Sequence, residues 1–453
     1  MSNTPRSMFT GWGRTNPSAA EEVEVTASFL AATLKEAGPR GALARGLGRS
    51  YGDAAQNSGG LLIRLTGGVN DAVLDHAAGT VTVGAGVSVE DLLKLIVPRG
   101  YFVPVTAGTR FVTIGGAIAS DIHGKNHHVE GSFGNHLERM TLMLADGSTV
   151  VVSPTERPEL FWATVGGMGL TGIVIDATIR LLRIETSRMS VDTSRIADLD
   201  ALFAAMADDD NYRYSVAWID VMAKGRSLGR SVLSRGDHAR LDQLDARAVA
   251  TPRHYGARQL LSIPPLVPRP GVLNHATVAA FNEVWFRKAP VHKVGDIHGI
   301  AEFFHPLDML GGWNRLYGKA GMVQYQFVVP FGEEETMRTV IERLGASGSA
   351  SFLAVLKRFG AANAAPLSFP QPGWTLALDV PAGSHGLGEL LHNLDELVLA
   401  AGGRHYFAKD SHTTAAVIRQ GYPRLAEWQA VRDSVDPNGL WRSDLSRRLG
   451  LTG

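Results

Sequence analysis

The sequence predicts an α+β fold divided into two domains. The chain has 453 residues, which is more than a single domain with one hydrophobic core usually contains and is about right for two domains. Hydrophobic residues make up 45% and charged residues 19% of the chain, which is the ordinary mixture of a globular protein. Many short strand-like segments are interspersed with helices rather than alternating strictly with them, and this favours α+β over a parallel βαβ sheet.

The N-terminal part of the chain carries mostly short strands. The spacing of apolar residues predicts a helix over 22–38, and the alternation in 79–84 predicts a half-buried strand. Ser88 is a suitable N-cap for a helix that runs to Val97 and stops at Gly100. The remaining predicted elements are strands at 41–44, 61–65, 140–144, 150–152 and 172–182 and a helix at 158–165.

The character of the sequence changes near 185–200, which marks the expected domain boundary. Beyond it, the Pro-rich segment 262–274 predicts a mobile, irregular loop. The other patterns predict helices at 198–207, 333–344 and 387–401 and strands at 218–220, 231–233, 322–329 and 374–380.

Two glycine-rich stretches predict the ligand class. The first is Arg45–Asp53, and the second runs from Gly108 to His128. Glycine has no Cβ, so backbone N–H groups in such stretches can crowd against an anionic ligand. Two stretches of this kind, each followed by polar and basic side chains, indicate a long ligand with a pyrophosphate in its middle. We therefore expect a dinucleotide cofactor.

Two common nucleotide-binding motifs do not explain these stretches. Gly167–Gly172 matches G-x-G-x-x-G, but a predicted helix precedes it and a strand follows, whereas a Rossmann unit needs the reverse order. A tight turn is the favoured interpretation. Arg45–Asp53 lacks the Gly-Lys-Ser/Thr triplet of a phosphate-binding loop in ATP-driven enzymes.

Composition limits the remaining chemistry. The chain has no cysteine, which excludes disulfides, thiolate catalysis and cysteine-ligated metals. His123, His127 and His128 are not accompanied by a carboxylate cluster, so no metal site is expected. A histidine beside a cofactor or substrate is the favoured interpretation. Lys+Arg and Asp+Glu both number 44, and this balance gives no global attraction to nucleic acid.

Nothing in the sequence indicates a membrane span or a secretion signal. The first residues lack the apolar core of a signal peptide, and no run of about 18 apolar residues occurs. We expect a cytoplasmic protein. Peripheral membrane contact and a periplasmic location both stay open.

Several polar side chains in the C-terminal half are candidates for a site. Lys409 follows a short apolar run, and it could be a functional amine or half of a surface ion pair. Lys357 could equally stand at a solvated strand end. Gln324 and Gln326 are two apart on a predicted strand and therefore share a face. That face would suit a hydroxylated substrate if it points inward and would have no role if it points to solvent.

Long motifs along the chain resemble the vanillyl-alcohol oxidase family, also called the p-cresol methylhydroxylase (PCMH) type of FAD-linked oxidase. The resemblance covers nearly the whole chain and narrows to the branch that oxidises polyprenyl-phosphoryl ribose in actinobacterial cell-wall synthesis. The motifs that carry it are Gly11–Thr15, Arg45–Asp53, Asp121–His128, Gly131–Asn135, Phe161–Gly167, Phe304–Asp308, Gln324–Phe327, Ala365–Pro370 and Tyr406–Ser411.

The resemblance implies a two-domain PCMH-type fold. Residues 1–185, completed by 404–453, would form the FAD-binding domain, and 186–403 would form a substrate domain with an antiparallel sheet. Loops near 257–293 would form a mobile cover over the site. Five apolar residues would offer that cover's surface to a lipid chain: Leu260, Leu261, Ile263, Leu266 and Val267.

The resemblance also implies a reaction. The 2′-hydroxyl of a polyprenyl-phosphoryl-β-D-ribose would be oxidised to a ketone by hydride transfer to the flavin. A partner NADH-dependent keto-reductase would then complete the epimerisation to the arabinose donor for cell-wall arabinan. The alternative within enzymes is a flavin oxidase acting on a soluble polyol or sugar.

Site residues are carried over by position. Lys409 and His123 would be catalytic, with Lys409 either a base or, slightly favoured, a cation that stabilises charge on reduced flavin. FAD would contact Ala44, Arg45, Gly46, Leu47, Gly48, Arg49, Ser50, Tyr51, Gly52, Asp53, Ala54, Gly108, Thr113, Ile114, Gly115, Gly116, Ser120, Asp121, Ile122, His123, Val174 and Tyr406. The substrate pocket would be lined by Tyr51, Trp218, Arg315, Tyr317, Gln324, Gln326, Lys357, Thr375, Ala377 and Lys409.

Three departures from the family pattern bear on chemistry. Relatives that link FAD covalently often carry a histidine where this chain has Arg49, so we expect non-covalent FAD, with His123 left open as an alternative linkage site. Mycobacterial members carry a cysteine at the position of Ala377 and an asparagine at the position of Thr375. That cysteine is the residue attacked by covalent nitroaromatic inhibitors. An alanine forms no thiol adduct, so such inhibitors should bind at most reversibly here.

Overall fold

The computed structural model describes residues 6–207, 209–264, 273–348, 351 and 353–452. Strands and helices are numbered in chain order. A small sheet with the order β1-β2-β4-β3 opens the fold, and its only antiparallel pair is β1 with β2. Its elements, with the helix that follows β2, are β1 (Ser7–Phe9), β2 (Ser18–Val25), α1 (Ala27–Leu34), β3 (Ala42–Ala44) and β4 (Leu61–Leu65).

The helix predicted over 22–38 is wrong in its first part. Residues 18–25 form β2, and only Ala27–Leu34 is helical. In this stretch Glu22 and Glu24 alternate with Val23 and Val25, which is the period of a strand. Both valines pack into an apolar cluster with β4, and parallel pairing with that strand satisfies the backbone.

A second, antiparallel sheet has the order β5-β6-β10-β8-β9. The predicted cap is confirmed, because Ser88 Oγ accepts a hydrogen bond from the backbone N–H of Asp91 at 3.1 Å. The elements of this region are β5 (Val73–Asp75), β6 (Thr80–Gly84), α2 (Val89–Ile96), β7 (Tyr101–Phe102), α3 (Ile114–Ala119), α4 (His127–Glu130), β8 (Leu137–Met143), β9 (Thr149–Val152), α5 (Pro158–Thr164), β10 (Ile173–Arg180) and β11 (Leu182–Arg183), which pairs with β7.

The second half is built on one eight-stranded antiparallel sheet with the order β16-β12-β14-β13-β19-β20-β18-β21. Three helices cover one of its faces: α6 (Leu199–Ala207), α10 (Glu334–Ala346) and α11 (Leu387–Ala400). The strands are β12 (Arg188–Ile196), β13 (Tyr214–Ile219), β14 (Ser231–His238), β16 (His292–Gly299), β18 (Met322–Pro330), β19 (Ala354–Phe359), β20 (Gly373–Pro381) and β21 (Arg404–His405).

The cover predicted as loops near 257–293 contains regular structure. Asn274 caps the helix α8 (His275–Lys288), accepting hydrogen bonds from the next turn. The short strand β15 (Leu261–Ser262) pairs with β17 (Leu310–Gly311). The prediction of loops is therefore wrong over 275–288, where the cap at Asn274 begins a helix. Leu266 and Val267 lie outside the described residues. Two further short helices are α7 (Ala246–Val249) and α9 (Ile300–Phe304).

The C-terminal segment returns to the first half of the chain. Its helices are α12 (Ala415–Gly421), α13 (Leu425–Val435) and α14 (Asp444–Leu449). Trp428 is fully buried against α5 and donates its indole N–H to the carbonyl of Ala163 at 2.9 Å. Among the described residues, no helix is both long and apolar enough to cross a bilayer.

Candidate active site

The first glycine stretch presents a run of free backbone donors. The N–H groups of Gly46 through Ser50 have no acceptor among the described residues. Gly48 has φ +64°, a left-handed conformation that favours glycine and turns the loop back on itself. Successive N–H groups without partners form an anion-binding concavity. The stretch therefore fits the pyrophosphate of a dinucleotide.

The second stretch is built differently. The N–H groups of Ile114 and Gly115 bond to the carbonyls of Val87 and Ala85, each at 2.9 Å. Thr113 Oγ1 accepts from Gly116 N at 3.1 Å. These three donors are already used, so Ile114–Gly116 offers no free backbone N–H group to an anion.

Asp121 is predicted to contact the cofactor, but its carboxylate holds the fold together. It is fully buried with φ +39°. Four donors converge on it from two segments, 132–134 and 363–368: Ser132 Oγ at 2.7 Å, Gly134 N at 2.8 Å, Asn363 Nδ2 at 2.8 Å and Ser368 Oγ at 2.6 Å. Any contact of Asp121 with the cofactor therefore has to come from its backbone.

His123 lies where the two halves of the chain meet. Its Nε2 is 3.0 Å from the side-chain nitrogen of Gln326 on β18, while its Nδ1 is buried without a partner. Burial, together with the neighbouring titratable groups Lys357, His127 and Lys409, holds its pKa well below the usual value, so the ring is neutral. If Gln326 donates to Nε2, then Nδ1 carries the proton and is a free donor.

The aromatic surroundings of His123 come from distant parts of the chain. Its ring centroid lies 4.9 Å from Phe359, 5.5 Å from Phe369 and 5.0 Å from Tyr406. Tyr406 donates its hydroxyl to the carbonyl of Ser120 at 2.8 Å. The C-terminal segment is thereby joined to the second glycine stretch, as the predicted site requires.

Lys409 is placed at the same junction. Its Nζ lies 3.9 Å from the centroid of the Tyr51 ring, above the end of the first glycine stretch. Burial is the largest cause of a pKa lowered to about 7; the charge of Asp379 opposes this change, and the charge of Lys357 adds to it. The amine is therefore partly neutral near physiological pH.

The wall opposite the glycine stretches is the open face of the large sheet. On β18 the odd-numbered residues 323–329 pack against the helices, so Gln324 and Gln326 point the other way, toward the first half. The glutamine pair therefore faces inward. One row across four strands joins Trp218, Val355, Ala377 and Gln326 in register.

The neighbouring rows of this wall are polar. Lys357 is paired with Thr375, and Gln324 with Asp379. Burial lowers the pKa of Lys357 to about 8. Burial also raises the pKa of Asp379, whose Oδ1 accepts a hydrogen bond from Gln324.

Two predicted pocket residues have other contacts. Tyr317 is buried in an apolar cluster with Tyr51, Trp313 and Met322. Arg315 donates to the carbonyl of Ile263, so its guanidinium holds the cover segment. Val174, another predicted cofactor contact, is buried on β10.

Two histidines beside the site are structural. His127 Nδ1 accepts from Gly360 N at 3.1 Å. His128 Nε2 lies 2.9 Å from the carbonyl of Tyr212. No group of three or more His, Asp or Glu side chains in the described part of the chain could hold a metal ion.

The sequence reasoning missed Asp379. It lies two residues after Ala377 on β20 and faces the same cleft. The period of two was a usable signal, since Thr375 and Ala377 were already assigned to the pocket. Phe359 and Phe369 were missed as well: Phe369 lies inside the motif Ala365–Pro370, but no role was assigned to it, and no local pattern marks Phe359.

An FAD-dependent oxidoreductase fits these features: free N–H donors, a neutral buried histidine and a lysine of lowered pKa. Similarity to known proteins supports the same class. Residues 25–153 match the FAD binding domain family, and 381–449 match the D-arabinono-1,4-lactone oxidase family. A decaprenylphosphoryl-β-D-ribose oxidase of Mycolicibacterium smegmatis is 47% identical over 97% of each chain. An alditol oxidase of Streptomyces sp. is 23% identical, covering 97% of this chain and 98% of its own.

The chain belongs to the decaprenylphosphoryl-β-D-ribose oxidase family of PCMH-type FAD-linked oxidoreductases. The predictions of an α+β fold, an FAD cofactor and oxidoreductase activity are confirmed by these matches. The roles of the individual site residues, and the domain limits at 185 and 403, stay predictions.

Proposed function

We propose that this protein oxidises the 2′-hydroxyl of a polyprenyl-phosphoryl-β-D-ribose to the ketone. The observation that carries the proposal is the position of Lys409, whose amine lies against Tyr51 of the first glycine stretch and is close enough to Asp379 and Lys357 of the sheet for their charges to shift its pKa. The 47% identical relative named for this ribose substrate supports the same assignment. A hydroxyl-bearing ring fits a wall lined by amide, amine and hydroxyl groups.

The chemistry divides between cofactor and chain. FAD, when bound, supplies the acceptor for the hydride that leaves the carbinol carbon. The chain has to take up the hydroxyl proton, and Lys409 is suited to this because burial makes its neutral form accessible near pH 7. This lowered pKa favours the base over the purely electrostatic role that the sequence had slightly favoured.

His123 and Gln326 would orient the sugar. The free Nδ1 of His123 is a buried donor without a partner, and such a group is costly unless a ligand accepts from it. Gln326 fixes the ring through its contact with Nε2. A neutral histidine held in this way can hydrogen-bond a flavin or substrate oxygen without adding charge.

The experiment is anaerobic bleaching of the flavin by a panel of prenyl-phosphoryl pentoses and free alditols. The proposal expects rapid bleaching by the prenyl-phosphoryl ribose and slow bleaching by the arabinose epimer and the free polyols. Rapid bleaching by free polyols alone would overturn it. That outcome would instead support the alternative function, oxidation of a soluble polyol, which the similarity to an alditol oxidase favours.

The flavin is proposed to be bound without a covalent link. Arg49 is used in packing, since its guanidinium carbon lies 4.0 Å from the Trp12 ring centroid. His123, the other residue considered for a covalent link, is enclosed by three aromatic rings.

A keto product calls for a reductase partner. We propose that an NADH-dependent keto-reductase converts the ketone to the arabinose epimer. The oxidation by this protein would be the first of two steps toward an arabinan donor, and the reduction would be the second. A single turnover of this protein alone should form one ketone per bound FAD, and the ketone should disappear when such a reductase and NADH are added.

We also propose a cytoplasmic protein that contacts the membrane peripherally. Leu260 and Leu261 at the cover are 68% and 71% exposed, and adjacent exposed leucines favour insertion at a lipid surface. A Leu260→Ser, Leu261→Ser variant should float less with lipid vesicles than the native protein. The matched control is Val73→Ser, at a valine that is 66% exposed in the first half. Equal flotation of the double variant and the native protein would contradict the proposal.

A further inference from the structure

An arginine near the C-terminus connects the two backbone segments that meet at Lys409. Arg448, on α14, binds Asp53 with two nitrogens, Nε to Oδ2 at 2.8 Å and Nη2 to Oδ1 at 2.7 Å. Its Nη2 also lies 2.9 Å from Asp410 Oδ2, and its Nη1 donates to the carbonyl of Thr413 at 2.6 Å. Asp53 ends the first glycine stretch, and Asp410 follows Lys409 directly.

The same two segments touch through their backbones. Tyr51 N donates to the carbonyl of Ala408 at 2.8 Å. A Cβ on Gly52 would overlap the carbonyl oxygen of Asp410, so only glycine allows this approach. Arg448 therefore lies beside the contact that sets the distance between the glycine stretch and Lys409.

The charge of Asp410 strengthens its contact with Arg448. Burial alone would raise the pKa of Asp410, but Arg448, His412 and two backbone N–H groups hold it well below its usual range. The carboxylate is therefore ionised throughout the working pH range. The planar guanidinium forks between two carboxylates, a geometry that a lysine cannot reproduce in full.

We propose that Arg448 is a positioning residue for Lys409: by clamping Asp53 to Asp410, it fixes the Lys409 amine against Tyr51 and the cofactor loop. The inference rests on the proposed role of Lys409 in the oxidation. Arg448 itself does not touch the reacting atoms. Without the clamp, the segment that carries Lys409 separates from the glycine stretch, and the amine leaves its buried position.

The test compares Arg448→Met, Arg448→Lys and a matched control, Arg447→Met, as FAD-loaded proteins. Arg447 is the neighbouring arginine on α14, and it binds Asp444 and Asn57 instead. Arg448→Met should slow single-turnover flavin reduction by on the order of 10²-fold, the cost of misplacing a catalytic group by about 1 Å. Arg448→Lys should recover part of the rate, and Arg447→Met should keep the native rate.

A second readout does not depend on turnover. The pH midpoint for modification of Lys409 by an amine-directed reagent, followed by peptide mass spectrometry, should rise in Arg448→Met toward that of a free lysine. It should stay at the native value in Arg447→Met. If Arg448→Met fails to fold, Arg448→Lys still gives both readouts and should show an intermediate shift.

The two readouts distinguish failure of the positioning role of Arg448 from failure of the proposed oxidation. Native reduction rate and native labelling midpoint in the Arg448 variants would overturn the positioning role. If no prenyl-phosphoryl pentose bleaches the native flavin, the proposed function fails, while the labelling midpoint still decides whether Arg448 positions Lys409.

Discussion

The charges around Lys409 predict that two substitutions shift the pH dependence of flavin reduction in opposite directions. Asp379 raises the pKa of Lys409, and Lys357 lowers it. Asp379→Asn removes the opposing carboxylate with little change of shape, so the pKa of Lys409 should fall. Lys357→Met removes a like charge, so the pKa of Lys409 should rise.

The size of the effect follows from the fraction of neutral amine. A lysine with a pKa of about 7 is about half neutral at pH 7, whereas at its ordinary pKa only about one molecule in 3,000 is neutral. Burial in this cleft therefore supplies roughly a 1,500-fold gain in usable base. Each substitution should move the apparent pKa by about one unit, a tenfold change in rate on the acidic side of the profile.

The assay is anaerobic stopped-flow reduction of the flavin across the pH range around neutrality. For native protein the rate should rise with pH and level off above the apparent pKa of Lys409. The profile of Asp379→Asn should lie to the acid side of it and that of Lys357→Met to the alkaline side. Lys94→Met, at an exposed lysine on α2, is the control. Shifts of the same sign, or a pH-independent native rate, would refute the role of Lys409 as a base.

Three further predictions follow from the geometry. Acid precipitation should release the flavin into the supernatant, and yellow colour remaining with the pellet would contradict non-covalent binding. A thiol-reactive nitroaromatic inhibitor should add its mass to an Ala377→Cys variant after turnover but not to the native protein; a stable adduct on the native chain would be contrary evidence. Gly52→Ala should lose about 2 kcal/mol of stability or more and bind FAD more weakly, because its Cβ overlaps the carbonyl of Asp410. Thermal melting checks this against Gly67→Ala, where a Cβ meets nothing within 4 Å.

Local patterns predicted much of the fold. The cap at Ser88 and the strand at 322–329 came from hydrogen-bonding capacity and period two, both of which act over a few residues. The same reasoning failed at 22–38, where alternating glutamate and valine within a longer apolar run was assigned to a helix. Parallel pairing of β2 with β4 decided that segment, and such pairing is not visible locally.

In the candidate site, too, some residues could be predicted from local sequence and others could not. The glycine stretches, His123 and Lys409 were found from the sequence, because they lie in long motifs. Asp379 was missed although it shares a strand face with Thr375 and Ala377, and Arg448 was missed because its partner Asp53 is far away in the chain. Only the fold shows that Asp379 lies near Lys409 and that Arg448 binds Asp53.

The central claim is that this chain removes a hydride from C2′ of a polyprenyl-phosphoryl ribose. The most direct test is a single anaerobic turnover with substrate deuterated at C2′, followed by mass spectrometry of the product. The expected result is a bleached flavin and a ketone that has lost the deuterium together with the hydroxyl hydrogen. A product that keeps the deuterium at C2′ would contradict it, as would a flavin that stays oxidised with this substrate.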